Sequence, residues 1–539
     1  METLEVLMCC LFFCMAVCEF RCPGKVGTTG CTCIHESWWN NEVRTIVNCS
    51  TANLEKIPNL SVLERYEITH LILSNNNISE IYLRDFTDII IKKMDISYNP
   101  IGNLDTDSVS PLPRQLTTLV MKKSKISLSK GLYLLRGLDN LTELILDSNT
   151  IENESQILPD NIFKGLNLKS LKQLSLQSCE IGDISVGAFI GLENLEELDL
   201  SYNYLEEIPE AIQKLPNLRK LFLHGNNIMQ LQNNSFLGLR NLQDLNLNVN
   251  EISQIETDAF KGLENSLKDL RLHYNNLNTI PSDALRKLRL LSFLMLSRNN
   301  IQFIPTNAFV GFSNLKMLEL DSNDLIFYDE MFTGLENTLE TLTLRETGLR
   351  LLPVKSLLPL NRLTDLDVSH NHIHSLSRGN IGYLKLKTID LSHNAIGEIH
   401  SDVFAGITRT IDIDLDSNKI RNISFVLKVT PCAFNYIDVS ENDIICDCDT
   451  EKIINSGIVL GVGPTGNCRI IDDSSEQEYK LGTSALSEAL IEHCNKTERV
   501  FDCQNMELTP NVALINVSSI SVLWLSIIIC RWLNIFIIL

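Results

Sequence analysis

Apolar residues of the leucine type return along this chain at a near-constant interval, in the phrase L-x-x-L-x-L-x-x-N-x-L. Residues 195–205 give it in full, with Leu195, Leu198, Leu200, Asn203 and Leu205 at the fixed positions. The middle leucine of L-x-x-L-x-L marks each recurrence. It falls at Leu71, Met94, Leu119, Leu144, Leu174, Leu198, Leu221, Leu245, Leu270, Leu294, Leu318, Leu342, Leu366, Ile389, Ile413 and Ile437. These 16 markers span 366 residues in 15 steps, a mean of about 24. L-x-L has period two, so each copy predicts a short strand with its leucines pointing one way. Coils of this period stack their strands in parallel and share a core that no single coil could build. Each buried Leu or Ile stabilises that core by roughly 1.5–3 kcal/mol.

Five residues after each marker comes an asparagine: Asn76, Asn99, Asn149, Asn203, Asn226, Asn250, Asn275, Asn299, Asn323, Asn371, Asn394, Asn418 and Asn442. Its amide is expected to bond the backbone of its own and the next coil, which would otherwise carry buried unpaired groups. Ser124, Cys179 and Thr347 fill the other three slots and predict weak points. The second half of many repeats carries a small or apolar residue and then Phe: Ala188-Phe189, Ala259-Phe260, Ala308-Phe309, Met331-Phe332, Val403-Phe404. This aromatic is expected to plug the core from the far side. Ile208-Pro209, Ile280-Pro281, Ile304-Pro305 and Leu352-Pro353 mark the turn leading there. Those segments are wider than strands ~4.8 Å apart, so the solenoid must curve with the sheet concave.

The phrase is the signature of the leucine-rich repeat, and the chain's ends extend the likeness. Cys22, Cys31, Cys33 and Cys49 precede the array; Cys446, Cys448, Cys468 and Cys494 follow it. Clustered cysteines flanking a repeat array in a secreted chain point to disulfides rather than zinc. Spacing alone leaves three connectivities for each set of four. The chain resembles the extracellular leucine-rich repeat family with N- and C-terminal cysteine caps, in particular chaoptin- or connectin-like surface proteins. The resemblance implies an α/β horseshoe with disulfide-bonded caps. It also implies the pairings Cys22–Cys33, Cys31–Cys49, Cys446–Cys468 and Cys448–Cys494. Cys179, on the ladder, reads as a buried thiol; a bridge between Cys432 and Cys503 is left open.

The expected organisation is a signal peptide (1–18), an N-terminal cap (19–53), the array (54–445), a C-terminal cap with a following segment (446–503), a stalk (504–521) and a hydrophobic tail (522–539). Leu4 to Val17 is apolar but short for a membrane span, which fits a secretory signal. The tail fits a lipid-anchor signal with Asn511-Val512-Ala513 as attachment triplet, or a single span with Arg531 near one face. Sequons at Asn48, Asn59, Asn77, Asn140, Asn153, Asn233, Asn422, Asn495 and Asn516 agree with secretory passage. The step from Leu144 to Leu174 is 30 residues, and the surplus near Glu152 to Asp160 reads as a loop bulging from the convex or lateral face.

Charge narrows the function. The formal net charge is -21, against a nucleic-acid binder, which needs a basic footprint. No G-x-S-x-G, H-E-x-x-H or phosphate loop occurs, so neither an enzyme nor a cofactor is expected. Binding is the remaining chemistry, and the strand residues beside the leucines are the ones to read. In the seventh to tenth repeats these gather Phe222, His224, Asn246, Asn248, Arg271, His273, Tyr274, Phe293, Met295 and Arg298. Aromatics, Met and Arg together are the composition of an interface core. Arg271→Ala with Tyr274→Ala is expected to abolish partner binding without lowering thermal stability. In the last four repeats Asp367, Asp390, Asp414 and Asp438 share one outward slot, with Asp365, Asp412, Asp416, Glu441 and the His370–His393 pair nearby. A cation or a basic partner would relieve that repulsion, although well-solvated aspartates in a common wording of the repeat explain the column as well.

The family resemblance implies a cell-surface protein that recognises another protein, or its own copy on an apposed cell, in adhesion or as a co-receptor. A homodimer is left open. A Toll-like recognition ectodomain and a secreted matrix protein are the alternatives.

Overall fold

A computed structural model describes residues 16–21, 30–37, 43–60, 63, 67–86, 89–102, 112–130, 132–152, 156–407, 409–429, 433–455, 460–461, 467–472, 475–481 and 484–494. Sixteen strands, from Glu67–Ile72 to Phe434–Asp438, carry the 16 markers. Marker pairs with marker at every step, from Leu71↔Met94 to Ile413↔Ile437. The same register through the array follows from the phrase itself: any slip by one residue would turn the leucines out of the core. Three N-terminal strands (Ala16–Arg21, Thr32–Ser37, Val43–Asn48) and Leu460–Gly461 complete a 20-stranded sheet. The first three pair antiparallel, and the third then runs parallel to the first repeat strand. The chain is a parallel leucine-rich repeat solenoid of about sixteen turns, with the strands on its concave side.

The core is one continuous cluster. Leu198, Leu221, Leu245, Leu270 and Leu294 are fully buried. The far side is mostly turn, with little helix. Short helical turns at Glu210–Lys214, Ser282–Leu285 and Val354–Leu357 each follow one of the expected prolines. The phenylalanines form a spine behind the leucines: Phe163 and Phe189 stack 6.3 Å apart, Phe236 and Phe260 5.8 Å, Phe309 and Phe332 6.4 Å. Part of the expected bulge is ordered into the far side: Ile157–Leu158 pairs in parallel with Asp183–Ile184, and Asp160 accepts the Gly187 N–H at 2.7 Å. Residues 153–155 lie outside the described residues.

The ladder differs from expectation in direction. Asn203 donates its Nδ2 to Leu200 O of its own coil and to Leu176 O of the preceding one, both at 2.9 Å, not to the next. Its Oδ1 accepts the N–H groups of Cys179 and Ile181, also in the preceding coil. The chain turns outward before the asparagine, so the amide points back at the coil already laid down. Cys179 reaches Leu146 O only at 3.4 Å through its sulfur, and the Thr347 hydroxyl donates to Leu344 O within its own coil.

A second regularity has no signature in the pattern. The residue just before each ladder position has positive φ, from Asn75 at 57° to Glu441 at 51°. The turn requires the left-handed region, which Asn and Gly enter easily and β-branched residues do not. Val249 sits there at φ 54° with its side chain 43% exposed. Val249→Asn is therefore expected to stabilise the protein by about 1 kcal/mol. Thermal unfolding of the two proteins side by side checks this; an unchanged or lower midpoint would contradict the strain.

Disulfides close both ends. Cys31 pairs with Cys49, Cys446 with Cys468 and Cys448 with Cys494, as the family resemblance implies. Cys33 is also disulfide-bonded. Cys22, Cys432, Cys503, Asn153, Asn495, Asn511, Asn516 and the tail from 504 lie outside the described residues, as does the expected signal up to residue 15. The sequon asparagines 59, 77, 140, 233 and 422 are exposed, and Asn48 is half-buried. No helix among the described residues is long and apolar enough to cross a membrane.

Candidate functional site

Register brings the expected patch together. Phe222, Asn246, Arg271 and Met295 are direct neighbours across four strands of the concave face. Phe293 lies one column over, beside Asp269. His224, Asn248 and His273 follow two residues further along each strand, with Ser297 next in the row. Tyr274 and Arg298 occupy the left-handed turn slot, where a side chain is thrown clear of the sheet. The Arg298 guanidinium lies 5.0 Å over the Tyr274 ring, and that ring is 45% exposed.

Sequence reasoning missed the residues that hold this patch in place. Arg271 sits between Asp244 (3.5 Å) and Asp269 (3.2 Å), each in the column before the marker. Tyr202, one coil outside the expected patch and 51% exposed, meets the edge of His224 at 5.0 Å. Reading the preceding column along with the two flanking positions would have found the aspartates. Their clasp changes one expectation: Arg271→Ala would leave two half-buried carboxylates without their cation and is therefore expected to lower stability as well as binding.

Burial, and then the nearby Arg271 charge, pull the His224 and His273 imidazoles down to about 4. Both are thus neutral at neutral pH, and the formal charges of the patch are Arg271 and Arg298 against Asp244 and Asp269. His224 Nδ1, Asn248 Oδ1, His273 Nδ1 and Ser297 Oγ are each buried without a hydrogen-bond partner among the described residues. These four atoms occupy one slot in four successive coils. A buried polar atom left unpaired costs about 1–3 kcal/mol.

The acidic column of the last repeats is built differently. Asp367, Asp390, Asp414 and Asp438 stack in register. Each Oδ1 accepts the backbone N–H two residues on, at 2.9 Å from Ser369, Ser392, Asp416 and Ser440. The aspartate thus closes the turn into the ladder, a local role that accounts for it without a ligand. His370 and His393 stack with ring centroids 4.3 Å apart. Among the described residues no group of three or more His, Cys, Asp or Glu side chains is placed to hold a metal ion.

Stacking leaves a titration signature. Burial, then the Asp390 charge, pushes Asp367 up to about 6; burial, then the Asp390 and Asp438 charges, does the same to Asp414. A carboxyl whose folded pKa is raised contributes stability below its unfolded value near 4, lost as pH rises through 6. Asp414→Asn is therefore expected to raise stability by ~1 kcal/mol at pH 7.5 and to change it less at pH 4.5. Urea titrations at the two pH values check this; an equal effect at both would contradict the repulsion.

The leucine rich repeat family model matches residues 169–228, 216–266 and 265–325. Chaoptin of Drosophila melanogaster is 30% identical over 176 residues, which is 32% of this chain and 12% of chaoptin. Toll-like receptor 8 of Homo sapiens is 30% identical over 202 residues, covering 33% of this chain and 18% of the receptor. Lumican of Bos taurus is 29% identical over 203 residues, covering 30% of this chain and 56% of lumican. The matched stretch thus spans between 12% and 56% of these relatives' lengths. In the glycosylated Toll–Spatzle complex, a solved chain superimposes with TM-score 0.59 at 18% identity, covering 84% of this chain and 73% of that one. The TLR13–ssRNA13 complex gives TM-score 0.58 at 23% identity, covering 76% of this chain and 59% of that one. These superpositions show the fold. With sixteen coils in one register and disulfides at both ends of the array, the chain is a leucine-rich repeat protein, similar over about a third of its length to chaoptin, Toll-like receptor 8 and lumican.

Proposed function

We propose that this chain is a cell-surface recognition protein that binds another protein through the concave face of repeats seven to ten, in cell adhesion or as a co-receptor. The observation that carries the reading is the row His224, Asn248, His273 and Ser297, whose buried polar atoms lack partners, set among Phe222, Arg271, Tyr274 and Met295. Turning an imidazole or carboxamide by 180° brings the unpaired atom to the surface, where a partner's backbone or side chain can meet it. Neutral rings and a clasped arginine make the base of the patch cheap to desolvate, while Tyr274 and Arg298 stand out as anchors. Membrane attachment is part of the same proposal, through the apolar tail as a lipid-anchor signal with Asn511 as its site.

The test is a cell-mixing assay. Non-adhesive cells displaying the full chain are labelled and mixed with unlabelled cells lacking it. Clumping confined to displaying cells supports adhesion through like copies. Displaying cells that stay single, with surface display verified, would rule out that form and leave the co-receptor form.

A further inference from the structure

One flank of the solenoid has a charge opposite to that of the whole. Two residues before each marker the backbone forms a hydrogen-bonded row from coil to coil: Glu196 N to Lys172 O, Arg219 N to Glu196 O, Gln243 N to Arg219 O, Lys268 N to Gln243 O, Ser292 N to Lys268 O and Lys316 N to Ser292 O. Side chains on this row are one coil apart, ~4.8 Å. Arg219, Lys268 and Lys316 therefore stand in alternate coils, about 10 Å from one another along the flank. Arg240 and Arg289, five residues before Leu245 and Leu294, add cations between them. Arg240, Lys268 and Arg289 carry no ion pair among the described residues; Lys268 donates only to the neutral Gln243 Oε1, at 3.2 Å, whereas Lys316, at the C-terminal end of the stripe, is paired with Glu340 of the next coil at 3.4 Å. Within this stretch of the row, Glu196 is the one carboxylate, and Lys172 and Arg219 already neutralise it at 2.9 Å and 3.6 Å. A stripe of cations has thus collected on a chain whose net charge is -21.

The stripe opens into a groove of about 510 Å³ at its N-terminal end, lined by Lys169, Lys172, Asn194, Asn217, Arg219 and Asn241 among others. The three asparagines each donate Nδ2 to the backbone of the preceding coil at 2.9 Å. Their carboxamide oxygens accept no hydrogen bond among the described residues and remain as acceptors along the groove. No sequon falls between Asn233 and Asn422, so no N-linked glycan is rooted in the coils that carry Arg240 to Lys316.

We propose that this flank, from the fifth to the eleventh repeat, is a binding site for a sulfated polysaccharide chain of the heparin type. A linear polyanion presents charge at regular intervals, which alternate-coil cations match, and hydroxyl donors between the charges, which the asparagine oxygens accept. The flank is separate from the concave face, so a polysaccharide and a protein partner can be held together. Other polyanions share part of this chemistry, and single-stranded RNA serves as the discriminating probe.

The test displays the full chain on cells lacking their own glycosaminoglycans and measures binding of labelled heparin. Bound heparin is expected at physiological salt. Displacing counterions from about four cations lowers affinity roughly 50-fold between 50 and 200 mM salt, taking the slope found for flexible single-stranded polyanions. The variant Arg240→Glu, Lys268→Glu, Arg289→Glu is expected to lose at least ~10-fold in affinity. The variant Lys123→Glu, Lys125→Glu, Arg350→Glu changes net charge equally on other surfaces and is expected to bind as the parent does. Binding that is absent in the parent, equally weakened in both variants, or stronger for single-stranded RNA than for heparin would overturn the proposal.

Discussion

Asn203→Ala is expected to destabilise the protein by ~3–6 kcal/mol and to open it locally before it unfolds as a whole. The substitution removes the donations to Leu176 O, Leu200 O and, more weakly, Ser201 O, and leaves the Cys179 and Ile181 N–H groups without their acceptor. All of these are buried, and each orphaned group costs about 1–3 kcal/mol. The position is chosen because its neighbour cannot compensate. Cys179 occupies the ladder slot of the preceding coil, where its thiol makes contacts of only 3.4 and 3.5 Å. Burial pushes that thiol up to about 12, so it stays protonated and adds no strong acceptor. Two adjacent coils would then lack an asparagine ladder. In a solenoid, stability is close to a sum over coils and their interfaces, so the loss is felt where it is made. Urea unfolding is expected to separate into two transitions, and amide exchange to accelerate first across residues 174–205. A cost below about 1 kcal/mol would show that the ladder hydrogen bonds are dispensable.

The second large effect concerns recognition. Tyr274→Asn with Arg298→Asn is expected to weaken partner binding by at least 2 kcal/mol, roughly 30-fold, without lowering the thermal midpoint. Tyr274 and Arg298 are exposed, stack on each other at 5.0 Å and reach out from the turn slot. Asparagine suits the positive φ of 55° and 52° at these positions, so the backbone is relieved while the anchors are removed. Arg271 is a poorer choice, because Asp244 and Asp269 depend on it. Loss of binding accompanied by loss of stability would point to damage rather than to a removed contact.

Much of this was legible in the pattern of leucines. The marker positions set the strands and their register because an apolar face must stay on one side. The cysteine clusters, with the family resemblance, anticipated the three described bridges. What the pattern hid were features set by backbone geometry rather than by polarity. The left-handed residue before each ladder position is occupied by Asn75, Tyr202, Val249, Arg298 and His370 alike, so no residue type announces it. The same turn explains why the ladder amide reaches back to the preceding coil. The acidic column read either as a cation or basic-partner site or as ordinary solvated aspartates; that each aspartate caps its own turn is visible only once the Ser369 and Ser392 N–H groups are placed. Conversely, Asp244 and Asp269 drew no notice in the sequence, because only their placement on either side of Arg271 gives them a role.

The measurement that bears most directly on recognition by the concave face is the cell-mixing assay run with the parent chain and with Tyr274→Asn, Arg298→Asn, at matched surface display. Aggregation of the parent that the double variant loses, with equal thermal midpoints, is the expected result. Aggregation of the double variant at the level of the parent would contradict a binding role for repeats seven to ten.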